Sequence, residues 1–321
     1  MNWLEVTIYT SKQGLEVLTG ILMQMGVTGF VIEDPDDFTE FLTHRGETWD
    51  YMEESVEELK DVETNIKFYL AETAQGQEMY NEIKNTVTRL KNEDCDYGSL
   101  RIETDGINEE DWANNWKKYF KPFTVGEKFV IKPTWENYDE TTNRHILEID
   151  PNSSFGTGQH YTTQLCIEQL EHIIHEEVEV LDMGCGSGIL SIAALMLGAK
   201  HVTAVDIDEN SVNIAKDNFK QNNMDEAKFT AYCGNVMADA VLEEKIGHGK
   251  YDVVVANIVA DVIIGMKNEL RAFIKPQGKL IASGVINERC DEVKSHLEEV
   301  GFVIENVTEK NDWVAIVAHL G

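Results

Sequence analysis

Residues 178–208 read VEVLDMGCGSGILSIAALMLGAKHVTAVDID, which is the most informative part of the chain. A short apolar run ends at a glycine-rich turn, an apolar helix follows, and a second apolar run ends in an acid. Glycines let a backbone turn sharply and come close to a ligand. Asp206 follows the turn by about 20 residues, at the carboxyl end of the next strand, where a carboxylate can accept the hydroxyl hydrogens of a ribose. The order strand, turn, helix, strand, acid therefore predicts one half of a nucleoside-cofactor site.

The glycine spacing indicates which cofactor this turn accepts. Gly184, Gly186 and Gly188 form a GxGxG pattern. The dinucleotide fingerprint has a further glycine where this chain has Ile189. Without that glycine the helix begins farther from the turn, which suits a nucleoside without a pyrophosphate, so the spacing favours S-adenosyl-L-methionine over NAD. The alternative is a glycine turn in an ordinary α/β protein, and the flanking strands and Asp206 argue against it.

Length and composition indicate a globular protein with more than one domain. The chain has 321 residues, which is long for one compact domain, and 42% hydrophobic residues supply an ample core. No run approaches the roughly 20 apolar residues of a membrane span, and the N-terminal sequence MNWLEV lacks the basic and apolar parts of a signal peptide. We therefore expect a cytoplasmic protein that has no membrane partner.

The cysteines do not form a disulfide or metal pattern. They are widely scattered, with no CxxC pair and no close Cys/His cluster, so no metal site is predicted. Cys185 lies within the glycine turn, where it could be taken for a nucleophile. A small residue beside a cofactor is the interpretation we favour.

The net charge is strongly acidic. The chain has 27 Lys and Arg against 58 Asp and Glu, a formal net charge of −31. Residues 1–107 hold 8 of the basic and 23 of the acidic residues, which is a net −15. A field of this sign repels phosphate backbones and attracts basic partners, which argues against a nucleic-acid substrate bound directly. A generally acidic proteome is the alternative explanation.

The front of the chain, residues 1–107, is predicted to form a small domain. Its elements follow the order βαββαβ of the ferredoxin-like arrangement, with the third strand predicted over Asn65–Ala71 and the last over Ser99–Glu103. The segment 34–63 between two of the strands is densely acidic, and Arg45 and Lys60 are its only Lys or Arg residues. Such a segment usually forms a solvated loop, and its aromatic residues leave a binding element as the alternative.

Residues 108–121 are predicted to form a linker helix, with Trp112 and Trp116 on one face because they are four residues apart. Residues 122–321 then alternate between apolar strands and helices, including one helix predicted over Val262–Phe273. This alternation implies a mainly parallel, doubly wound sheet with helices on both faces. The last two strands have no helix between them, as an antiparallel hairpin at the sheet edge requires. That ending is typical of class I methyltransferase folds.

Asn257 is the candidate catalytic residue. It follows the apolar run YDVVVA and begins NIVAD, so we expect it at the carboxyl end of a strand, on the ligand side of the sheet. The position resembles the NPPY motif of amino-methylating enzymes, in which the Asn side chain and the next backbone carbonyl accept hydrogens from the target nitrogen. Both prolines and the aromatic are missing here, and a flipped base normally stacks on that aromatic, which disfavours a nucleobase substrate. An Asn that caps the following helix is the alternative.

The loop SFGTGQHYTT, residues 154–163, holds further candidates for cofactor contact. Phe155, Thr157 and His160 would belong to a lid on the cofactor. In the alternative interpretation, the threonines of the loop cap the helix that follows.

Three segments together, FGTGQHYTT, LDMGCGSGILSIAA and ANIVAD, resemble the ribosomal protein L-eleven methyltransferase family, known as PrmA. The segment WANNWKKYFKPFTVGEKFVIKPTWE is similar to the connector and first strand of that family, and the resemblance is strong from Asp111 to Asp261. The resemblance implies a class I, S-adenosyl-L-methionine-dependent methyltransferase domain behind a substrate-recognition domain. It also implies transfer of several methyl groups to lysine side chains and the N-terminal amine of the basic ribosomal protein L-eleven.

By this resemblance Asn257 contacts the cofactor and also faces the amine. The full set of cofactor-binding candidates is Phe155, Thr157, Gly158, His160, Asp182, Gly184, Gly186, Gly188, Asp206, Ile207, Asn235 and Asn257.

The chain departs from the family pattern at three places. DPNSS precedes the FGTG loop where typical members have a glycine-containing sequence, and the acidic segment 34–63 is long. GNV, Gly234–Val236, stands where many methyltransferases place an acid against the adenine amine, and Asn235 can still make a hydrogen bond there. Two alternatives stay open: a methyltransferase that acts on another basic protein or a small amine, and a non-catalytic module that senses the cofactor.

Overall fold

A computed structural model of the chain describes residues 3–27, 30–33, 63–71, 73–92, 95–105, 120–138, 142–150 and 155–321. The chain divides into two compact units, residues 1–119 and 120–321. Most of the predicted linker helix 108–121 and of the acidic segment 34–63 lies outside the described residues. The last two residues of that predicted helix, Phe120 and Lys121, are described and are not helical.

In its described residues, the first unit contains a four-stranded antiparallel sheet with two helices. The sheet has the order β2-β3-β1-β4, and each pair of neighbours is antiparallel. This is the ferredoxin-like arrangement that the βαββαβ order predicts. Its elements are β1 (Trp3–Tyr9), α1 (Lys12–Gln24), β2 (Phe30–Glu33), β3 (Asn65–Ala71), α2 (Ala74–Leu90) and β4 (Ile102–Asp105).

Alternating side chains of the central strand form the core of this unit. Leu4, Val6 and Ile8 of β1 are completely buried, as the two-residue period of a strand with one covered face requires. Strand β4 begins at Ile102, three residues after the predicted start. Leu100 interrupts the extended backbone with φ +45°, because its side chain turns into the core.

The second unit begins with a three-stranded sheet and continues into a seven-stranded one. The small sheet consists of β5 (Phe123–Val125), β6 (Phe129–Pro133) and β7 (His145–Ile149) in that order. The large sheet has the order β10-β9-β8-β11-β12-β14-β13, in which the first five strands are parallel and β14 is antiparallel to both of its neighbours. Its strands are β8 (Glu179–Met183), β9 (His201–Asp206), β10 (Phe229–Cys233), β11 (Tyr251–Asn257), β12 (Ile274–Ile286), β13 (Phe302–Lys310) and β14 (Trp313–Leu320).

The first helix of this unit precedes β8, and the others connect strands of the large sheet. The helices are α3 (Tyr161–Ile173), α4 (Ile189–Met196), α5 (Glu209–Gln221), α6 (Ala240–Ile246), α7 (Ala260–Gly265), α8 (Lys267–Phe273) and α9 (Cys290–Glu299). The single helix predicted over Val262–Phe273 is wrong, because α7 ends at Gly265 and α8 begins at Lys267. Glycine is a poor helix former, and Met266 leaves helical geometry with φ −100° and ψ 17° while its side chain packs into the core.

The strand order places the ligand side of the sheet at one edge. The connections after β8 run outward on one side and those after β11 run outward on the other, so these two adjacent strands mark the switch point. Open α/β sheets bind ligands beyond the carboxyl ends of the strands at such a point. The apolar strands that flank it are buried on both faces, which fixes the positions of the residues that follow them. None of the helices in the described ranges is long and apolar enough to cross a bilayer.

Candidate active site

The glycine-rich turn, residues 184–188, connects β8 to α4. The N–H groups of Gly184 and Cys185 both donate to the Val205 carbonyl, at 2.8 and 3.1 Å, which ties the turn to β9. Gly188 ends the turn with φ +82° and is the N-cap of α4. A Cβ at Gly188 would lie 3.0 Å from the Cβ of Ala215, so glycine is required here both for backbone conformation and for the approach of α5.

The turn also lies against the residue that follows Asn257. A Cβ at Gly184 would lie 2.4 Å from Cγ2 of Ile258. The sequence predicts that the glycines make room for a ligand. The structure adds a second reason, because protein atoms already occupy the space that side chains at Gly184 and Gly188 would need.

Asp206 closes the site at the end of β9. Its Oδ2 accepts a hydrogen bond from the Gly186 N–H at 2.8 Å, and its Oδ1 accepts one from the Asp208 N–H at 3.0 Å. Burial raises the pKa of this carboxyl above its ordinary value. Ionised carboxylate oxygens have further lone pairs, so two ribose hydroxyls can still donate to it. The next residue, Ile207, exposes 56% of its surface and offers an apolar face beside the carboxylate.

Asp182 lies below the turn in β8 and is completely buried. Its Oδ2 accepts a hydrogen bond of 2.6 Å from the Ser191 hydroxyl, whereas its Oδ1 has no hydrogen-bond partner among the described residues. Burial raises the pKa of Asp182 to about 7. A buried oxygen without a partner is costly, so Oδ1 is suited to a donor that arrives with a ligand or a water molecule.

Asn257 ends β11, as the apolar run before it predicts. Its Nδ2 donates to Oγ1 of Thr163 at 3.3 Å, and its Oδ1 is buried without a partner among the described residues. The N-cap of the following helix is Val259, so the alternative in which Asn257 caps that helix is wrong. The contact with Thr163 uses only the amide nitrogen, so among the described residues the amide oxygen of Asn257 is an acceptor without a partner.

The FGTG loop lies on the glycine turn. The Ser187 N–H donates to the Phe155 carbonyl at 2.8 Å, and the Ser187 hydroxyl donates to the Gly156 carbonyl at 2.7 Å. Thr157 is 2% exposed, and its Oγ1 accepts from the Gln159 N–H. A Cβ at Gly158 would lie 2.9 Å from Cδ1 of Ile189, so the loop also packs on the first residue of α4.

His160 caps helix α3 and anchors the loop to the C-terminal hairpin. Its Nδ1 lies 2.7 Å from Oγ1 of Thr162 and accepts from the Thr162 N–H at 3.3 Å, so the alternative in which threonines supply the N-cap is wrong. Its ring makes edge contacts with Trp313 at 4.7 Å and with Phe155 at 5.7 Å between centroids. Burial lowers the pKa of His160 to about 4, so its ring is neutral at physiological pH.

Asn235 follows β10, next to Asp206. The Gly234 N–H donates to the Asp206 carbonyl at 2.9 Å, which holds the ends of the two strands together. The side chain of Asn235 turns to its own loop, where Oδ1 accepts from the Met237 N–H at 3.0 Å. Its position agrees with the expected one, and part of its hydrogen-bonding capacity is used within the protein.

Cys185 is 5% exposed, and burial raises the pKa of its thiol well above the ordinary value. A buried thiol with a raised pKa is a poor nucleophile, which supports its interpretation as a small residue in the turn.

The carboxyl ends of β8, β9 and β11 thus bring the glycine turn, Asp206 and Asn257 to one edge of the sheet, and the FGTG loop lies on that turn.

Sequence reasoning missed four residues that hold this arrangement: Thr163, Ser187, Ile258 and Trp313. Each acts through a partner far away in the chain. Trp313 alone has a local signal, since it follows Asn311 and Asp312, whose positive φ values form a tight hairpin turn.

The donor and acceptor set fits a cofactor made of a nucleoside and an amino acid. Asp182 Oδ1 and Asn257 Oδ1 are buried acceptors without partners in the described part of the chain, and Asp206 presents a carboxylate beside the apolar Ile207. Of these groups, Asp182 and Asp206 are the ones expected to meet the ammonium and ribose of S-adenosyl-L-methionine.

Comparison with known proteins identifies the family. The model of the family "Ribosomal protein L11 methyltransferase (PrmA)" matches residues 2–320. A ribosomal protein L11 methyltransferase of Thermoanaerobacter pseudethanolicus is 40% identical over 320 residues, which are 99% of each chain. One from Alkaliphilus oremlandii is 39% identical over 320 residues, covering 99% of this chain and 98% of that one.

A solved structure supports the same assignment. The ribosomal protein L11 methylase of Lactobacillus delbrueckii subsp. bulgaricus superposes with a TM-score of 0.56 at 29% identity, and covers 63% of this chain and 100% of its own. The fold is that of class I methyltransferases, and the methyl donor is S-adenosyl-L-methionine. This chain belongs to the ribosomal protein L11 methyltransferase (PrmA) family of S-adenosyl-L-methionine-dependent protein methyltransferases.

Proposed function

We propose that this protein transfers methyl groups from S-adenosyl-L-methionine to lysine side-chain amines and the N-terminal amine of ribosomal protein L11. The names of its relatives support the substrate. The observation that carries the chemistry is the amide oxygen of Asn257, which is buried at the end of β11 and has no hydrogen-bond partner in the part of the chain that the structure describes. The next residue is Ile258, whose side chain lies against the glycine turn. An acceptor at this place is suited to a primary amine, which must donate hydrogens while its lone pair attacks.

The cofactor would be held by residues from four elements. Asp206 would accept the ribose hydroxyls, Ile207 would pack on the adenine, and Asn235 would bond to its edge. The loop and turn candidates would surround the amino-acid part of the cofactor: Phe155, Thr157, Gly158, His160, Asp182, Gly184, Gly186 and Gly188. Neutral His160 adds no positive charge beside a cationic cofactor.

The residues of the chain act mainly by alignment. The cofactor supplies a methyl group on a positively charged sulfur, and its transfer to an amine is an in-line displacement. Asn257 Oδ1 would accept one hydrogen of the amine and the carbonyl of Ile258 a second, which directs the nitrogen lone pair at the methyl. A lysine amine has a pKa of about 10.4 in solution, so it must lose a proton before it attacks. Once the amine is neutral, the displacement itself needs no acid or base from the protein.

The front domain, residues 1–107, would dock the substrate, with 108–121 as linker and 122–321 as the catalytic domain. The excess of acids in residues 1–107 complements a basic ribosomal protein. The outer face of the front sheet also exposes two large aromatic side chains, Trp3 at 54% and Tyr69 at 51%, which can pack on a partner. Ribosomal proteins are made in the cytoplasm, so the proposed substrate places the reaction there.

The test is intact-mass and peptide analysis of unmodified L11 after incubation with this protein and S-adenosyl-L-methionine. We expect methyl-sized additions on amines. Asn257→Ala should lower turnover by roughly 100-fold, as misplacement of a reacting group does, and leave cofactor affinity within about threefold. Asn306→Ala, on an exposed position of β13, is the matched control and should behave as the parent.

Two results would contradict this proposal. Equal turnover in Asn257→Ala and the parent would remove the role of Asn257. No addition to L11, with cofactor binding shown in parallel, would exclude this substrate and direct the search to other basic proteins or small amines.

A further inference from the structure

The peptide that follows Asn257 is confined by a glycine of the neighbouring strand. Ser283 of β12 pairs with Asn257, and the Ile258 N–H donates to the Ser283 carbonyl at 3.1 Å. A Cβ at Gly284 would lie 2.4 Å from the Ile258 carbonyl oxygen, 2.7 Å from its carbon and 2.9 Å from its nitrogen. These are backbone atoms, so no change of rotamer could relieve the contact.

Gly284 lies at an irregularity of β12. The register between β12 and β14 shifts between Ala282 and Val285, and Gly284 takes φ +84° at that point. The neighbouring Ser283 hydroxyl donates to the Val314 carbonyl at 2.8 Å, which fixes the bulge to β14. Bulges often redirect a strand next to a functional site, and a glycine within a strand often marks the close approach of another backbone.

The Ile258 side chain is confined on its other side. Its Cγ2 occupies the space that a Cβ at Gly184 would need. The residue after Asn257 is therefore held between the cofactor turn and the bulge of β12. A methyl group at position 284 could be accommodated only by moving the 257–259 backbone or by distorting β12.

We propose that Gly284 is a positioning residue for methyl transfer. By lacking a Cβ it lets the Ile258 peptide lie against the bulge of β12, and this contact sets where the Asn257 side chain and the Ile258 carbonyl meet the target amine. The inference rests on the proposed role of Asn257. Gly284 touches neither cofactor nor amine in this proposal and acts only through the 257–258 backbone.

The first test compares Gly284→Ala with a matched glycine. Gly301 has a similar φ of +96°, and a Cβ there would have its nearest neighbour at 3.8 Å, so Gly301→Ala imposes the same backbone strain without the contact. In Gly284→Ala we expect kcat at saturating substrates to fall roughly 10- to 100-fold, as for a reacting group displaced by up to an ångström, with cofactor Kd within about threefold of the parent. Gly301→Ala should keep the parental kcat.

A second substitution separates steric contact from backbone strain. Asn tolerates the left-handed region better than Ala but carries a Cβ, so Gly284→Asn should lose kcat as Gly284→Ala does. Recovery of kcat in Gly284→Asn, or a parental kcat in Gly284→Ala, would overturn the inference. A loss of kcat in Gly301→Ala as large as in Gly284→Ala would also overturn it, because general strain would then be the cause.

Two further measurements separate the role of Gly284 from that of Asn257 and from a failure to fold. Asn257→Ala is assayed in parallel. If Asn257→Ala loses turnover while Gly284→Ala keeps the parental turnover, only the proposed role of Gly284 is overturned. If Asn257→Ala keeps the parental turnover, the proposed roles of both residues are overturned. If Gly284→Ala does not fold, amide hydrogen exchange of the parent decides. The Ile258 N–H should be strongly protected by its bond to Ser283, and rapid exchange there would show that the peptide is not held.

Discussion

Asp206 is a residue in which the needs of the fold and of the proposed reaction coincide. Its two carboxylate oxygens hold the N–H groups of Gly186 and Asp208, so the acid shapes the turn that would receive the cofactor. A substitution therefore removes both a ligand acceptor and a support of the turn. Loss of the ligand acceptor lowers cofactor affinity alone, whereas loss of the support of the turn also lowers the stability of the protein.

Asp206→Ala and Asp206→Asn should both weaken cofactor binding. We expect the Kd for S-adenosyl-L-methionine, measured by calorimetry, to rise roughly 10- to 100-fold, which corresponds to the loss of one charge-assisted hydrogen bond of about 1.5–3 kcal/mol. Asn keeps one acceptor oxygen for the turn, so Asp206→Asn should unfold closer to the parental temperature. Asp217→Ala, at an exposed position of α5, is the control. Unchanged affinity in both Asp206 variants would show that the ribose is held elsewhere.

Single residues could be predicted where a local pattern marks them. Asn257 and Asp206 each follow an apolar run, and the end of a buried strand in a parallel sheet is a position that the sequence alone reveals. Thr163 has no such signal, because it meets Asn257 across 94 positions of the chain. Its position in a polar loop predicts only a helix cap, and the cap is His160.

At the scale of elements, helix α5 joins the large sheet to the small one. Asn218 is 3% exposed, and its amide bonds to the N–H and carbonyl of Asp150 and to the Ser187 carbonyl of the glycine turn. One turn later Asn222 makes the same pair of backbone bonds to Glu148 in β7. The two asparagines extend the hydrogen bonding of the small sheet, but only Asn218 also reaches the cofactor turn.

This difference predicts distinct effects of two similar substitutions. Asn218→Ala and Asn222→Ala should each lower the free energy of unfolding by about 1–3 kcal/mol, because each removes hydrogen bonds to partly buried backbone groups. Only Asn218→Ala should also raise the Kd for S-adenosyl-L-methionine, by a few-fold, since it releases Ser187 and with it the contact to the FGTG loop. Denaturant unfolding and calorimetry on the two proteins decide this. An equal change of affinity in both would refute a specific link between Asn218 and the turn.

Helices and strands could be predicted where their apolar residues are periodic or where particular residues mark their ends. The strand Asn65–Ala71 agrees with its predicted bounds, and the apolar strands of the large sheet were recognised. The break between α7 and α8 was not, because the apolar residues continue across it and only the packing of Met266 shows where the helix stops. Helix α6 was missed because it is a seven-residue helix with only Leu242 and Ile246 buried, too short to show a clear period.

For the molecule as a whole, net charge is the property that can be read most directly from the sequence. Of the net −31, residues 1–107 carry −15 and residues 108–321 carry −16, so the front third has nearly half of the excess. The fold shows a catalytic unit whose buried polar groups suit a small cofactor. The acidic field of the front domain is therefore the physical basis of the proposed recognition of a basic protein.

Salt should separate substrate recognition from catalysis. Raising NaCl from about 0.05 to 0.5 M shortens the Debye length from roughly 14 to 4 Å, so kcat/KM for the basic protein substrate should fall by about tenfold. The kcat at saturation should change little, because Asn257 Oδ1 and the other groups that would align the amine are buried and poorly screened. The Kd for S-adenosyl-L-methionine over the same salt series is the control and should vary less than kcat/KM. A constant kcat/KM would show that the acidic field does not steer the substrate, and the negative charge would then reflect the composition of an acidic proteome.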